Sequence, residues 1–594
     1  MRFRCPTTWT LFSLVLLLAV VCAATELGGR TLGNHECFVT VAARNMLQSD
    51  NWVVPIYNDQ IRLQKTPLNY WLTAFSFALS GKVDEVTARL PSAVLAVVSV
   101  VAIFCFVSRY LNSTAALTCA ATWCTSLGYI QYSHSARPEM SLTVFVCLAM
   151  LSFFWALHPP NLSDKESVVS RLSEETYSSW KPALLFWFFF ALSMLAKGPA
   201  PLLVLCVPLA VYVWSRKLTR AAWKRLHPLT GSLLFLLLVL PWPLLLLEQL
   251  KSVAAAGGVS AVGSKGQPLA VWLREFVFRF LGTYAPGQKT PFYYGHVMFV
   301  FAAPWCVFVP LALLAPFIKT WSEQKRRLMF FCWIWFVVDV AVMSISGGKR
   351  MHYILPAMPA LMILVGLVLH EMIFERNIYS LRFQQKLLTG HLVVVAIGAL
   401  TLTGLGFYEL WARDVSGSLD FIPSTIPPTK LVVCGVLLAV LGAAVGKAFH
   451  QAAPLPYALV LFGSVGIAVA LFCVAFNHYY NNPKGRLLRN VGTTLAQTNS
   501  NLIFYGKVSP VFVFYFERPV PVVASLEELQ QAQFKNRTIL AASPWFDELQ
   551  AHPQFKLLKQ WTIPSNNSKK APFRLGMFCR RTTTTAQKTI NPQK

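Results

Sequence analysis

The chain has 594 residues, of which 55% are hydrophobic and 13% charged, and its formal net charge is +27. Soluble domains carry about 25% charged residues, so a chain this poor in charge cannot cover a soluble surface and reads as a membrane protein. Nucleic acid is not the partner the charge implies. The basic residues form short clusters between apolar runs, as in loops beside an anionic leaflet, and no basic domain or binding motif accompanies them. The 13 cysteines lie mostly in apolar runs without a CxxC pair, so they read as small apolar residues and not as a disulfide or zinc framework.

Apolar runs of about 17–25 residues have the length of a bilayer-spanning helix. They fall near 9–25, 90–108, 114–130, 140–157, 182–196, 198–214, 229–247, 294–318, 328–346, 354–372, 389–410, 430–446 and 455–475, about thirteen spans. The first follows Met1-Arg-Phe-Arg4 and ends at Val21-Cys-Ala-Ala24, a pattern also compatible with a cleaved signal peptide. Either alternative delivers residue 26 to the outer side. With the N-terminus inside, the cytoplasmic loops include Arg216–Arg225, Lys319–Arg327, Arg376–Lys386 and Lys447, the most basic short loops of the chain, as the positive-inside rule requires.

The fold class that follows is an α-helical polytopic membrane protein with a small C-terminal extracytoplasmic α/β domain. Residues 1–475 form the membrane domain, with outer loops at 26–89, 131–139, 248–293 and 347–353, and residues 476–594 the soluble one. In the latter, Leu502–Tyr505, Val520–Val523, Thr538–Ala541 and Phe573–Phe578 read as short strands. Between them, Ser525-Leu-Glu-Glu528 is a capping box, and Ser543-Pro544 opens a helix with Ser as N-cap. Alternation on this scale makes a small α/β layer.

The outer loops collect polar residues that composition alone does not predict. The first contains Gly33-Asn-His-Glu36, then a helical pattern with Phe38, Val41, Ala42 and Leu47 on one side, which suits a helix lying in the interface. Next come Asp50 to Pro55 and Arg62-Leu-Gln-Lys-Thr-Pro-Leu-Asn-Tyr-Trp-Leu72, whose cations lie on the side where the positive-inside rule predicts few. Ser133-His-Ser-Ala-Arg-Pro-Glu-Met140, Lys197-Gly-Pro199 and Gly347-Gly-Lys-Arg-Met-His-Tyr353 follow.

Singly, each element has a plain structural reading. Glu36 at a helix start complements the dipole, Lys197 at a span end snorkels, and Arg137 with Glu139 makes a loop ion pair. His35, His134 and His352 suggest metal, but no HxxxH or HExxH spacing supports it. Together they place carboxylates and several cations on one side of the membrane. Group transfer from a lipid phosphate needs such a set, because fixed cations stabilise the growing phosphate charge and a general base activates a hydroxyl nucleophile.

Lys65-Thr-Pro-Leu-Asn-Tyr-Trp-Leu72 resembles the K-P-P-L-x-Y-W-L motif of membrane glycosyltransferases with the C-type fold. The likeness is to the aminoarabinose transferases of lipid A and, further off, the protein O-mannosyltransferases. It runs over residues 10–365 through Gly33 to Leu47, Asn51 to Pro55, Arg89-Leu-Pro-Ser, Ala136-Arg-Pro-Glu-Met, Ala196-Lys-Gly-Pro and Lys349 to Pro356. The resemblance implies a polyprenyl-phosphate sugar donor, a lipid or protein acceptor, an active site outside the membrane and, in the bacterial branch, a periplasmic C-terminal domain on an inner-membrane protein. It assigns Lys65, Arg137, Lys197, Lys349, Arg350 and Tyr353 to the donor phosphate and offers Glu36, His35 or Glu139 as the base; Glu36 is favoured because a carboxylate beside cations stays ionised, whereas a neighbouring cation lowers the pKa of His35.

Three positions depart from the family pattern. The usual Asp-Glu of the first loop is His35-Glu36, the Glu before the motif lysine is Gln64, and the second-loop Asp is Glu139. No cofactor is required by this reading, although a divalent metal remains an open alternative. The rival functions are a polyprenyl-linked sugar flippase and an inactive family member that binds without turnover. A transporter holds substrate near the bilayer midplane, where Asp339 is the only acid deep in a span.

The charge pattern makes the orientation testable. A reporter fused after residue 580 is expected outside the cytoplasm and one at residue 220 inside it. A cytoplasmic signal from the C-terminal fusion would mean a miscounted span.

Overall fold

The computed structural model describes residues 8–160, 180–255, 268–283, 292–380, 483–498, 501–531, 537–563 and 572–581, with residue 290 and scattered helical positions between 382 and 466. The expected spans at 389–410, 430–446 and 455–475 lie outside the described residues, apart from those positions. The chain divides into two compact units: Met1–Arg30, Ala42–Ile56 and Ile61–Tyr480 form the first, and Thr31–Val41, Tyr57–Gln60 and Asn481–Lys594 the second.

The first unit is helical: α1 (Thr8–Ala24), α2 (Asn34–Ser49, shared with the second unit), α3 (Leu68–Ser80), α4 (Glu85–Tyr110), α5 (Ser113–Cys124), α6 (Leu127–Ser133), α7 (Pro138–Leu157) and α8 (Trp180–Lys197). After these come α9 (Val207–Ser215), α10 (Thr219–Leu226), α11 (Pro228–Val239), α12 (Pro241–Ala255), α13 (Pro268–Trp272), α14 (Tyr293–Ala302), α15 (Val309–Leu314), α16 (Glu323–Ile345) and α17 (Met358–His370). Among the described residues, six helices are long and apolar enough to cross a membrane, or up to seven if the bent pair Tyr293–Ala302 and Trp305–Phe317 counts as one. This is an integral membrane protein with multiple apolar spans.

Local chemistry sets the boundaries. Asp84 caps α4 with a capping box to Thr87, and Asn112 caps α5 through the Ala115 N–H; both satisfy donors that a helix start leaves open. Two expected spans are broken. The run at 114–130 splits between α5 and α6, where Ser126 accepts from the Tyr129 N–H and starts a new helix. The run at 294–318 bends by 119° around Pro304, which lacks the N–H needed to continue a helix.

The spans differ in depth. The window in Met351–Glu375 is 94% buried and that in Pro138–Leu157 89%, whereas that in Pro228–Ser252 is 17% buried. Helices apolar all round and enclosed on all sides form a bundle centre, so the segments ending in the 351–357 stretch and in Glu139 are central. Helix α2 departs from one-sided burial: Val39, Thr40, Val41, Ala42, Ala43 and Arg44 are all buried, so it is not an element resting on a surface by one face.

A short two-stranded sheet pairs β1 (Ile56–Tyr57) with β2 (Gln60–Ile61), and the second unit holds a five-stranded sheet in the order β4 (Val522–Val523), β3 (Leu502–Tyr505), β5 (Thr538–Ala542), β7 (Phe573–Arg580), β6 (Phe555–Ile563). Strand β3 is parallel to β4 and β5, while β7 is antiparallel to β5 and β6, with a register shift between Leu557 and Lys559. Helices Pro483–Thr498, Pro510–Phe516 and Trp545–Ala551 accompany it. Strand β6 was not expected from the sequence. The helix after Ser543 also differs from expectation. It begins at Trp545 with Pro544 as its uncapped N-cap residue, and the Ser543 hydroxyl instead accepts from the Arg574 N–H at 3.0 Å.

Helices α5 and α17 meet backbone to backbone at Gly366, where an added Cβ would lie 2.4 Å from Cys119 Cα. Small residues permit this approach in membrane bundles. Gly366→Val should therefore lower thermal stability in detergent by roughly 1–3 kcal/mol, the usual cost of overpacking, and an unchanged melting temperature would show that the two helices part freely.

Candidate functional site

Helices α7 and α8 run antiparallel, so the start of one meets the end of the other. Pro138 occupies the first turn of α7 and Glu139 follows it, while Lys197 is the last residue of α8. Lys197 Nζ lies 3.3 Å from Glu139 Oε1, and His352 Nε2, from the turn Met351–Ala357, lies 3.5 Å from the same oxygen. Glu139 Oε2 is buried with no hydrogen-bond partner. The expected Arg137–Glu139 loop pair is therefore replaced by pairing to Lys197 and His352, although Arg137 still acts electrostatically on Glu139. The Arg137 Nε is also buried without a hydrogen-bond partner. The Tyr353 ring lies under Lys197, 5.8 Å from Nζ.

The segment around Lys65 is fastened to these helix ends by its neighbours in sequence. Thr66 Oγ1 accepts from the Gly198 N–H at 3.1 Å, Asn69 Nδ2 donates to the Ala196 carbonyl at 2.7 Å, and Ser141 Oγ donates to Asn69 Oδ1 at 2.7 Å. Thus Asn69 bridges α3, α7 and α8. Gly198 has φ +61°, and a Cβ there would meet the Phe276 ring at 2.4 Å, so both backbone and space call for glycine.

Residues 268–283 close the same region. Trp272 Nε1 donates to the Leu63 carbonyl at 3.0 Å, and Arg279 pairs with the buried Glu275 at 3.0 Å. Lys65 interacts electrostatically with Lys197, Glu139, Glu275 and Arg279. Burial, and then the Lys197 charge, push the Lys65 ammonium down to about 8, against smaller opposing effects of Glu139 and Glu275. Tyr70, buried next to Arg62, is raised by burial. Sequence reasoning missed Glu275 and Arg279; their signal was an acid and a base four apart in an outer loop.

Other predicted residues serve differently. Lys349 is buried and its Nζ donates to the Ser346 carbonyl at 2.9 Å. Arg350 acts electrostatically on Tyr353, and its carbonyl accepts from the Tyr294 hydroxyl at 3.3 Å. Arg89 is a strut: it is fully buried and donates to the carbonyls of Leu27 at 2.5 Å and Arg30 at 3.0 Å. The His134 ring faces the Thr25 carbonyl at 2.7 Å and the Ile130 carbonyl at 2.8 Å, and burial lowers its pKa.

His35 and Glu36 belong to the second unit. Glu36 is buried, and its Oε2 accepts from the Gly33 N–H at 2.8 Å. That is the N3-to-N-cap bond of a capping box, with glycine in place of the usual hydroxyl residue. His35 is exposed.

Among the described residues, no group of three or more His, Cys, Asp or Glu side chains could hold a metal ion. Glu139 is surrounded by the Lys197 and Lys65 ammonium groups and the Arg137 guanidinium, charges that repel a divalent cation.

A half-buried cluster with more cations than acids thus lies at one end of the central spans of this membrane protein. Residues 64–244 match the family described as dolichyl-phosphate-mannose-protein mannosyltransferase. Relatives include an undecaprenyl phosphate-alpha-4-amino-4-deoxy-L-arabinose arabinosyl transferase of Pseudomonas aeruginosa, 26% identical over 384 residues, 62% of each chain. The second transferase of that description in Pseudomonas fluorescens is 23% identical over 415 residues, 67% of this chain and 66% of its own. An uncharacterized protein of Aquifex aeolicus is 26% identical over 329 residues, 55% of this chain and 65% of its own. The chain thus spans a little under two thirds of the length of these relatives. The crystal structure of ArnT from Cupriavidus metallidurans bound to undecaprenyl phosphate superposes with a TM-score of 0.73 at 19% identity, covering 96% of this chain and 98% of that one. The fold is therefore ArnT-like.

Burying the Lys65 charge has a cost that pH can reveal. The unfolded chain keeps its proton to about 10.5 and the folded one to about 8, so below about 8 the penalty is fully present and it fades as pH rises toward 10.5. Lys65→Met should raise the melting temperature at pH 7, with the gain shrinking between pH 8 and 10.5. A destabilised Lys65→Met at pH 7 would contradict this reading.

Proposed function

We propose that this chain is an integral-membrane glycosyltransferase that moves a sugar from a polyprenyl-phosphate donor to a lipid acceptor of the lipid A kind or to a protein. The observation that carries the reading is the unbalanced charge around Glu139. Lys65, Arg137, Lys197, Arg279 and Arg350 are linked through it and Tyr353, and among the described residues Glu139 and Glu275 are the acids that oppose them. A phosphate dianion would complete such a set. The ArnT-like fold, shared with a structure that binds undecaprenyl phosphate, supports the same donor class.

In this mechanism Lys65, Arg137 and Lys197, with Arg279, hold the donor phosphate and stabilise the charge it gains as the glycosidic bond breaks. Lys349 and Arg350 hold the loop that presents Tyr353 to the same headgroup. Glu139 fixes Lys197 and His352 in place. Glu36 accepts the proton of the attacking hydroxyl, and His35 or Glu139 is the alternative base. About thirteen spans would place the outer loops and the C-terminal unit outside the cytoplasm, on the periplasmic side of a bacterial inner membrane.

The test is transfer from a synthetic polyprenyl-phosphate sugar in detergent. Lys65→Ala and Arg137→Ala should each lose on the order of 10²–10³ in turnover while the protein stays folded. Because Lys65 titrates near 8, the wild-type rate should fall above that pH. Lys65→Arg, partly active because its geometry differs, should carry the falling limb higher. Near-normal turnover by Lys65→Ala would leave it a snorkelling lysine. Glu36→Gln should abolish transfer with donor binding retained. If it stays active while His35→Ala is dead, the histidine is the base. A Glu36 that only caps its helix would cost roughly 0.3–1 kcal/mol of stability and no activity.

A further inference from the structure

The opposite end of the same helices carries a second feature that this function does not use. Helix α7 runs from Glu139 to Trp155, roughly 24 Å along its axis at 1.5 Å per residue, which takes it to the other side of the hydrocarbon layer. There the start of α1, the last turns of α4 and α7 and the first half of α8 enclose a cavity of about 660 Å³. Phe12, Phe106, Leu148, Leu151 and Phe189 supply an apolar wall. Two polar groups interrupt it. Arg109, exposed at the end of α4, holds its guanidinium over the Trp155 ring at 5.5 Å, and among the described residues it has no carboxylate partner. Trp155 Nε1 is buried and has no hydrogen-bond partner.

We propose that this cavity binds an anionic phospholipid of the leaflet opposite the transfer site. One acyl chain fills the apolar wall, the phosphate pairs with Arg109, and an ester or phosphate oxygen accepts from the Trp155 indole N–H. Three observations favour that occupant over a neutral chain. The indole donor, cut off from water, lacks an acceptor, and leaving such a donor unpaired is costly. Among the described residues the guanidinium is a cation without an acid. The neighbouring loop is also basic: Arg216, Lys217, Arg220, Lys224 and Arg225 lie there with exposed Trp214 and Trp223, and no Asp or Glu occurs from residue 216 to 247. Arg225 reaches back to the Leu157 carbonyl at 2.9 Å, which ties that loop to the end of α7. A polyprenyl tail from the donor would enter with its phosphate at the other end of the bundle and would have no use for Arg109.

The experiment is native mass spectrometry of the full-length protein, delipidated in detergent and titrated with phosphatidylglycerol or phosphatidylcholine. Wild type should retain phosphatidylglycerol about fivefold more tightly, the factor expected for one cation beside a lipid of net negative charge, because the choline ammonium offsets the phosphate charge of phosphatidylcholine. Arg109→Gln should reduce it to the phosphatidylcholine level, and Arg109→Lys should keep most of the preference. Trp155→Phe, which keeps the ring and removes the donor, should weaken retention of both lipids. Ser152→Phe should exclude both by filling the cavity. Each variant is checked for a wild-type melting profile, and Arg109→Lys serves as the folded reference if Arg109→Gln does not survive. Equal retention of the two lipids by wild type, or an undiminished preference in Arg109→Gln, overturns the proposal. Displacement of bound lipid by a neutral polyprenol, with no dependence on residue 109, would assign the cavity to the donor tail. None of these outcomes bears on the transfer site, so that reading stands or falls separately.

Discussion

The pairing of Glu139 with Lys197 and His352 is the constraint on which the rest of the site depends. Three separate stretches of chain meet at one carboxylate oxygen. Taking a carboxylate out of water costs several kcal/mol, and that cost is offset only where cations and hydrogen bonds surround the charge. The ends of α7 and α8 and the turn after Arg350 are thereby held to one mutual arrangement. The plain reading of Lys197 as a snorkelling anchor fails on the same geometry: its ammonium points inward, to an acid and an aromatic face, although a snorkelling lysine turns outward to water.

Around that centre, short polar residues do the placing. Thr66 and Asn69 carry no charge, yet they attach the Lys65 segment to Gly198, Ala196 and Ser141. Buried amides so satisfied fix geometry strongly, because each lost bond strands a partner in a medium without water. Lys65 can then be held among other cations, a position it would leave if its loop were free. Its lowered pKa comes first from burial and then from the Lys197 charge, and an anion that offsets the buried positive charge gains affinity from both.

Much of this was legible in the sequence, for a physical reason. Lys65, Arg137, Glu139, Lys197 and Tyr353 are polar groups at the ends of apolar runs, where a membrane chain has few reasons to put them, so composition contrast exposes them. Glu275 and Arg279 escaped because residues 268–283 have no such contrast; only the fold carries them to Lys65. The strands Leu502–Tyr505 and Thr538–Ala542 read as apolar β-branched runs, being interior to the sheet. Strand β6 lies at its edge, and exposed Leu558 and Lys559, at the register shift, break the alternation that would reveal it. Charged edge strands prevent pairing with other chains, so the feature that protects β6 also hides it. The bend at 304 could not be read from hydropathy, which measures length and apolarity but not direction.

The departures at His35 and Glu36 gain meaning from the same balance. A carboxylate at the start of α2 is held by the Gly33 N–H, so its position is fixed by the helix and does not depend on the anion site. The imidazole at the adjacent residue is exposed, with its ring centre 6.5 Å from that of Phe38. A base must be within hydrogen-bond reach of the proton it takes, and a group fixed by its own helix meets that condition with less loss of entropy than one that must be ordered for each turnover. The helix-start bond of Glu36 engages one carboxylate oxygen with the Gly33 N–H and so sets the angle of the side chain.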